Sequence, residues 1–197
     1  WSIFEENYKG NIFHMKVTAL SIPDILLIEP KVFRDDRGFF FESFNQVDFE
    51  KETNLSPTFV QENHSRSIKG VLRGLHYQLP PKAQSKLLRV VKGEIFDVVV
   101  DIRKGSSTFG KWIGEILTDK NKKQIWIPKG FAHGFVVLSE IAEVIYKTTD
   151  YYAPQFERCI RWDDPKLSID WNFNEEDLLL SKKDINGEFF KNSKVFD

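Results

Sequence analysis

Residues 87–102 read Leu-Leu-Arg-Val-Val-Lys-Gly-Glu-Ile-Phe-Asp-Val-Val-Val-Asp-Ile. This stretch contains two short apolar runs, Leu87 to Val91 and Ile95 to Ile102, and Lys92-Gly93 between them is a typical turn signal. β-Branched residues are common in both runs, which favours strands over helices. The stretch therefore predicts two successive short strands, which indicates a fold built mainly from β-strands.

Similar short segments recur along the chain, with turn residues between them. They are Ile25 to Ile28, Phe39 to Phe41, Trp112 to Leu117, Ile125 to Ile127, Phe135 to Leu138, Ala142 to Thr149 and Cys159 to Trp162. Strands repeating about every 8–12 residues are typical of an antiparallel sandwich or barrel. Helix signals occur only at Gln46 to Glu50, after a capping Asn45, and at Asn174, which precedes three acidic residues. We expect a single all-β domain with short helices near both ends.

Composition excludes several functional classes. The 28 basic and 29 acidic residues give a formal net charge of −1, which indicates neither a nucleic-acid partner nor a membrane surface. No apolar run approaches the ~20 residues of a membrane span. Cys159 is the sole cysteine, so a multi-cysteine zinc site is excluded, and we expect this thiol to be a small buried apolar group in a cytoplasmic protein. Because Met15 is the only methionine, we expect residues 1–14 to be an expression remnant or an N-terminal extension, and residues 15–197 to be the domain.

Three segments concentrate polar groups that could carry chemistry. They are Gln61-Glu62-Asn63-His64-Ser65, then Arg73-Gly74-Leu75-His76-Tyr77-Gln78 with Lys86 beyond it, and Pro128-Lys129-Gly130-Phe131-Ala132-His133-Gly134-Phe135. The last two resemble the paired motifs of the cupin family. Metal-binding cupins carry His-x-His and a carboxylate in the first motif, where this chain has His76-Tyr77-Gln78 and no Glu between Leu79 and Arg89. His76 and His133 alone are too few for a stable transition-metal site, so we expect no metal.

The whole series of motifs resembles one family, the dTDP-4-dehydrorhamnose 3,5-epimerases, from Met15 to Asp197. The matching segments, all read from the sequence, are 29–33, 37–43, 61–65, 71–78, 93–98, 128–135, 146–152 and 180–184. The resemblance implies a cupin-type double-stranded β-helix, or jelly roll. It also implies epimerisation at C3 and C5 of dTDP-4-dehydro-6-deoxy-D-glucose, which gives dTDP-4-dehydro-L-rhamnose on the route to dTDP-L-rhamnose.

The chemistry of that reaction explains the catalytic residues that the resemblance implies. Both carbons lie next to the C4 carbonyl, so a base can remove each proton, a positive group can stabilise the enolate, and an acid can reprotonate the opposite face. The resemblance makes His76 the base, Asp184 its orienting partner, Lys86 the cation at the enolate oxygen and Tyr146 the proton donor. No redox step occurs, so we expect no cofactor.

The resemblance also implies how the nucleotide is held. Arginine and lysine suit a pyrophosphate, and amide side chains suit the donor and acceptor edge of thymine. The substrate-binding set that the resemblance implies is Arg37, Glu42, Gln61, Asn63, Arg73, His133, Glu157 and Lys183. The expected ligand is a dTDP-linked 4-keto-6-deoxy sugar, and the expected assembly is a homodimer.

Other functions stay open at this point. A single-site epimerase acting on a related nucleotide 4-keto sugar could use the same base, lysine and tyrosine. A non-catalytic sugar-binding cupin is a second alternative, which the presence of His76, Tyr146 and Asp184 disfavours. A metal-dependent cupin oxygenase or isomerase is a third, which His76-Tyr77-Gln78 disfavours.

Overall fold

The computed structural model describes residues 15–197, and its regular structure is mostly strand. Within this range there are fourteen strands, namely β1 (Met15–Ala19), β2 (Leu26–Pro30), β3 (Phe33–Asp35), β4 (Gly38–Phe40), β5 (Gln61–Ile68), β6 (Val71–Gln78), β7 (Lys86–Lys92), β8 (Glu94–Asp101), β9 (Trp112–Thr118), β10 (Gln124–Ile127), β11 (Phe131–Val137), β12 (Ile141–Thr148), β13 (Glu157–Cys159) and β14 (Leu179–Leu180). The helices are α1 (Gln46–Thr53) and the single-turn α2 (Lys182–Ile185). Three short 3₁₀ turns lie at Pro154–Phe156, Glu175–Asp177 and Phe190–Asn192.

The strands form two large sheets and one small hairpin. The first sheet has the order β1-β2-β10-β7-β12-β5, and the second has the order β13-β6-β11-β8-β9 with β14 beside β6. Neighbouring strands are antiparallel except for β14, which runs parallel to β6. β3 and β4 pair separately as a hairpin. The predicted all-β class, with helices near both ends, is confirmed.

Alternation along the strands produces one core between the sheets and one on each outer face. In β8, Ile95 and Val99 pack into the central core, while Val98 and Val100 face the opposite way. The central core also takes Leu88 from β7 of the other sheet, so the two sheets are packed face to face.

The two outer faces are covered by different parts of the chain. Phe49 of α1 is 1% exposed and packs with Leu87 and Trp126 against the first sheet. The C-terminal segment, including Ile160, Trp171 and Phe190, packs on the second sheet. Since this segment also contains α2, its packing brings the end of the chain to β6.

Some local expectations differ from the structure. The predicted strand from Cys159 to Trp162 is instead β13 (Glu157–Cys159), and Ile160 still exchanges backbone hydrogen bonds with Leu75 at the next register position. The predicted helix after Asn174 is a single 3₁₀ turn, since the Asn174 amide bonds the Glu176 and Asp177 carboxylates and caps nothing. The expectation for residues 1–14 concerns residues outside the described range. Across residues 15–197, no helix is long and apolar enough to cross a membrane.

Candidate active site

The inner face of the first sheet becomes polar at one end. In the strand register, Lys86 lies opposite Thr148, Gln61 lies opposite Thr148 on the other side, and Asn63 lies opposite Tyr146. Side chains two residues apart point to the same face of a strand. Gln61, Asn63, Lys86 and Tyr146 therefore share one face, which Leu88 continues into the central core.

The facing sheet places a second polar set at the same end of the sandwich. On β6, His76 lies opposite His133 of β11 on one side and Cys159 of β13 on the other. Glu157 lies opposite Gln78, two residues further along β6. The base that the sequence predicts thus comes from one sheet, and the predicted lysine and tyrosine come from the other.

A cavity of about 220 Å³ separates these two sets. Its lining contains six of the twelve predicted site residues: Gln61, Asn63, His76, Lys86, Tyr146 and Glu157. The other lining residues are Tyr77, Gln78, Gln84 and Tyr152. Drug-sized ligands usually occupy ~300–1,000 Å³, so this cavity has room for a sugar ring and not for a whole nucleotide sugar.

His76 and Asp184 form a close pair. His76 Nε2 lies 2.7 Å from Asp184 Oδ1, although the ring N–H is not aligned on the oxygen as in a regular hydrogen bond. Burial lowers the pKa of His76, with Lys183 and Lys86 acting in the same direction and Asp184 opposing them. At pH 7 the imidazole is therefore mostly neutral, which a general base requires.

Asp184 is held by the backbone around it. Its carboxylate accepts hydrogen bonds from the Gly74 N–H at 3.2 Å and from the Ser181 hydroxyl at 2.6 Å. Burial acts to raise the pKa of Asp184, but His76, Ser181 and Gly74 together lower it, so the carboxylate stays charged. Gly74 has a φ of +136°, and a Cβ there would lie 2.5 Å from Gly134 Cα, so only glycine lets the two strands approach here.

Burial also shifts the pKa values of the other two catalytic candidates, Lys86 and Tyr146. It lowers the pKa of Lys86 to about 8, although Asp97 and Glu157 act to raise it. It raises the pKa of the Tyr146 phenol, so this side chain carries its proton throughout the neutral range. Lys86 can thus supply positive charge and Tyr146 can supply a proton to the same cavity.

A hydrogen-bonded group forms the rim of the cavity. Lys183 Nζ donates to Glu157 Oε1 at 2.7 Å, and the Tyr152 hydroxyl donates to Glu157 Oε2 at 3.0 Å. The Tyr152 N–H donates to Gln61 Oε1, and the Gln61 amide donates to Asn63. The rim therefore connects both sheets to the C-terminal segment.

Comparison with known proteins identifies the family. The family model described as dTDP-4-dehydrorhamnose 3,5-epimerase matches residues 19–192. A Pseudomonas aeruginosa protein of that name is 60% identical over 182 residues, covering 92% of this chain and 99% of the relative. The chain belongs to the dTDP-4-dehydrorhamnose 3,5-epimerase family.

Solved structures agree with this assignment. A Legionella pneumophila dTDP-6-deoxy-D-glucose-3,5-epimerase in complex with dTDP-4-keto-L-rhamnose has a TM-score of 0.88 and 51% identity, covering 92% of this chain and 95% of that one. A 3′-monoepimerase from Streptomyces bikiniensis in complex with dTDP-quinovose has a TM-score of 0.82 and 33% identity, covering 87% and 86%. The predicted family, enzyme class and cupin-type jelly roll are confirmed.

Five of the eight predicted substrate-binding residues are not among the residues that line the cavity: Lys183, which lies on the rim, and His133, Arg73, Arg37 and Glu42. His133 is buried, and its Nε2 is 2.8 Å from Asp97 Oδ2. Arg73 is exposed and donates to the Ser67 hydroxyl. On the β3–β4 hairpin, Arg37 is exposed and bonds Asp35, and Glu42 accepts from Asn45 just beyond the hairpin.

Two residues of the first cupin-like motif, Tyr77 and Gln78, form hydrogen bonds with backbone groups of neighbouring loops. The Gln78 amide donates to the carbonyls of Lys82 and Tyr151, and its oxygen accepts from the Ala153 N–H. The Tyr77 hydroxyl donates to the Lys194 carbonyl. Neither side chain is directed as a metal ligand, since both tie loops to β6.

Cys159 differs from the buried apolar group that the sequence suggests. It is half-buried and lies opposite His76 in the register of β13 and β6. Burial raises the pKa of its thiol to about 12, so at pH 7 it is a neutral thiol and no nucleophile.

Sequence reasoning missed three residues that the structure brings to the site. Gln84 and Tyr152 line the cavity, and buried Asp97 pairs with His133 near Lys86. Asp97 interrupts the apolar run from Ile95 to Ile102, and an acid inside such a run is a usable signal of a buried partner. Gln84 and Tyr152 lie in loops, where the sequence gives no such signal.

Proposed function

We propose that this protein epimerises dTDP-4-dehydro-6-deoxy-D-glucose at C3 and C5 to give dTDP-4-dehydro-L-rhamnose. The observation that carries the proposal is the placement of a His–Asp pair and a Lys–Tyr pair on opposite sheets across one cavity. Inversion at a carbon needs a base on one face of the ring and an acid on the other. Two facing sheets provide that separation, and the family assignment supplies the substrate class.

His76 is proposed as the base that removes the protons from C3 and C5. The ring nitrogen that does not face Asp184 takes the proton, and the imidazolium that forms is stabilised by the adjacent carboxylate. The neighbouring Lys183 and Lys86 disfavour that imidazolium, which makes the proton transfer reversible. The Gly74 and Ser181 hydrogen bonds keep Asp184 in place while charge develops.

Lys86 is proposed to stabilise the enolate oxygen at C4. The electrons of the broken C–H bond move into the C–C bond, and the carbonyl oxygen becomes negative. A cation that is already in position and partly removed from water stabilises such a charge more strongly than bulk solvent does. Lys86 enters the cavity from the first residue of β7, a strand anchored in the core by Leu88 and Val90.

Tyr146 is proposed as the donor on the opposite face. Because its phenol is protonated at neutral pH, it can deliver a proton to the carbon of the enolate. The phenolate that results lies near Arg73 and Lys183, whose charges favour it. Solvent then returns a proton to Tyr146 and takes the proton from His76 before the next inversion.

The nucleotide is proposed to lie over the rim, beyond the cavity. Gln61 and Asn63 supply amide groups there, and Lys183, paired with Glu157, supplies a positive charge suited to a phosphate. Arg73 and Arg37 are exposed and available to phosphates, with Glu42 close to Arg37 in the sequence. His133 acts from behind the cavity wall, where Asp97 fixes its ring.

The assembly and location belong to the same proposal. We expect a cytoplasmic homodimer, whose exposed Phe39 and Phe40 rings (53% and 48%) offer apolar surface for a second copy to cover. Light scattering should give about 46 kDa, twice the 23.1 kDa of one chain. A stable monomer mass at micromolar concentration would contradict the dimer.

A single-site epimerase is the second candidate function. The structural likeness to a 3′-monoepimerase favours keeping it, since the same four residues could serve inversion at one carbon. The two functions differ in how the sugar turns in the pocket between proton transfers.

One experiment separates these possibilities. The protein is incubated with dTDP-4-keto-6-deoxyglucose in D₂O, and NMR follows deuterium and configuration at C3 and C5. Inversion with deuterium at both carbons supports the proposal, and inversion at one carbon supports the single-site alternative. Absence of exchange at either carbon would contradict both and leave a non-catalytic sugar-binding protein.

A further inference from the structure

Three side chains of types that bind metal ions meet beside the cavity. Each of His76, Cys159 and Asp184 offers one ligand atom, and these atoms all lie within 4.8 Å of one another. They come from β6, β13 and α2, so the cluster is assembled by the tertiary fold. The set shares His76 with the cupin His-x-His motif, but Cys159 and Asp184 come from other elements, and Gln78 stands where the motif has its second histidine.

The chemistry of the set is selective. A neutral imidazole, a thiolate and a carboxylate are the donor types that Zn²⁺ takes in proteins, and three protein ligands with one open position are typical of an accessible zinc site. Thiolate also favours Cd²⁺, a softer ion, over Mg²⁺ or Ca²⁺, which prefer oxygen. His76 also lines the cavity, so an ion held by this set would lie beside the cavity wall.

The distances require only a small adjustment. Zn–ligand bonds of about 2.0–2.3 Å in a tetrahedron place ligand atoms roughly 3.4–3.6 Å apart. His76 Nε2 and Asp184 Oδ1 are 2.7 Å apart and have to separate slightly, and Cys159 Sγ already lies within 4.8 Å of both. The His76 N–H is not aligned on the carboxylate, so no well-formed hydrogen bond is lost when an ion replaces the proton.

We propose that His76, Cys159 and Asp184 form an inhibitory site for a thiophilic divalent cation, with Zn²⁺ as the physiological candidate. On binding, the S–H bond of Cys159 breaks, a metal–sulfur bond forms, and the proton passes to the buffer. The proton of His76 Nε2 moves to Nδ1, so that the Nε2 lone pair can bind the metal. The ring nitrogen proposed above as the base is then protonated and no longer available. The site itself does not depend on the proposed function, but the inhibition does.

Cys159 makes the proposal testable without removing the catalytic machinery. It is the only cysteine of the chain, so every thiolate signal reports this site. The test variant is Cys159→Ala, which leaves His76 and Asp184 in place. The control is His64→Ala, because His64 Nε2 lies 3.1 Å from Glu143 Oε2 on the surface and is another histidine–carboxylate pair that could bind Zn²⁺.

The first measurement is a titration with Cd²⁺, followed by the ultraviolet absorption that thiolate-to-cadmium charge transfer produces. We expect one Cd²⁺ per chain in the wild type and in His64→Ala, and no such absorption in Cys159→Ala. This readout needs no turnover, so it distinguishes failure of the metal site from failure of the proposed epimerase function. Absence of the absorption in the wild type would overturn the proposal.

The second measurement is inhibition of epimerisation by Zn²⁺. The concentration for half inhibition should rise at least about tenfold in Cys159→Ala, in line with the 10–100-fold losses seen when a metal site loses a supporting group. His64→Ala should match the wild type. Equal inhibition of the wild type and Cys159→Ala would show that Zn²⁺ acts elsewhere and would overturn the inhibitory site.

Discussion

The same strands run through both ends of the sandwich interior, but polar side chains line one end and apolar side chains fill the other. On β7, Lys86 reaches the cavity while Leu88 and Val90 pack in the central core. On β12, Tyr146 lines the cavity while Val144 and Ala142 are fully in the core. The same face of each strand therefore changes from polar to apolar within two residues. The close packing of the apolar residues thus fixes the strands that carry Lys86 and Tyr146.

This arrangement explains the directions in which the pKa values of the site residues are shifted. The apolar end removes water from the neighbouring polar groups, which lowers the pKa of His76 and Lys86 and raises that of Tyr146. Each shift favours the neutral form. The reacting groups lie at the polar end and the packed core at the apolar end, so changes at each end should have separable effects.

The largest effect is expected from His76→Asn, which changes only the polar end. The substitution keeps a similar volume and removes the base, so kcat/KM should fall by about 10²–10⁴-fold. Solvent deuterium should stop entering C3 and C5 while circular dichroism remains that of the folded protein. Near-normal deuterium uptake would show that another residue is the base.

A large effect on stability rather than on catalysis is expected from Leu88→Ala, two residues from Lys86. Leu88 is 1% exposed, and truncating it should lower the free energy of unfolding by about 2–5 kcal/mol. Urea unfolding measures this loss, and kcat should stay close to the wild-type value in native buffer. A fall in kcat as large as that of His76→Asn would contradict the separation of the two ends.

A smaller effect is expected in the pH profile. Lys86 must be protonated to stabilise the enolate, and its pKa is about 8. Below that pH the cation is present, so on the basic side of the profile kcat/KM should fall about tenfold per pH unit as the pH rises beyond it. Lys86→Arg keeps its charge at every accessible pH. The kcat/KM of Lys86→Arg should therefore no longer fall at high pH, even if its maximum is lower than that of the wild type. An unchanged fall at high pH would assign this titration to another group.

The apolar end of the sandwich could be predicted from the sequence, and the polar end could not. Strands β7 to β10 follow from alternating apolar residues bounded by turn signals. β5 and most of β6 carry the polar segments 61–65 and 73–78, which hide the strand pattern because side chains such as Gln61, Arg73 and His76 face the cavity or solvent. The prediction that Asn45 caps a helix is confirmed, since its side chain accepts hydrogen bonds from the Val47 and Asp48 N–H groups.

The partners of the site residues could not be derived from local pattern. Asp184 contacts His76 because the C-terminal segment packs on the second sheet and α2 then reaches β6, a long-range contact with no local signal. Only the family resemblance singled out Asp184. Likewise Tyr152 lines the cavity, while its neighbour Tyr151 is 60% exposed, and the sequence does not distinguish the two.

The central claim is that the base and the proton donor act from opposite sheets, and Tyr146→Phe tests it most directly. With substrate in D₂O, the variant should still form the enolate through His76, Asp184 and Lys86. His76 should then return deuterium to the original face, giving labelled but unepimerised substrate and little product. Tyr152→Phe, which alters another tyrosine of the cavity lining, should still form labelled product. Product formation by Tyr146→Phe at the wild-type rate would contradict the account.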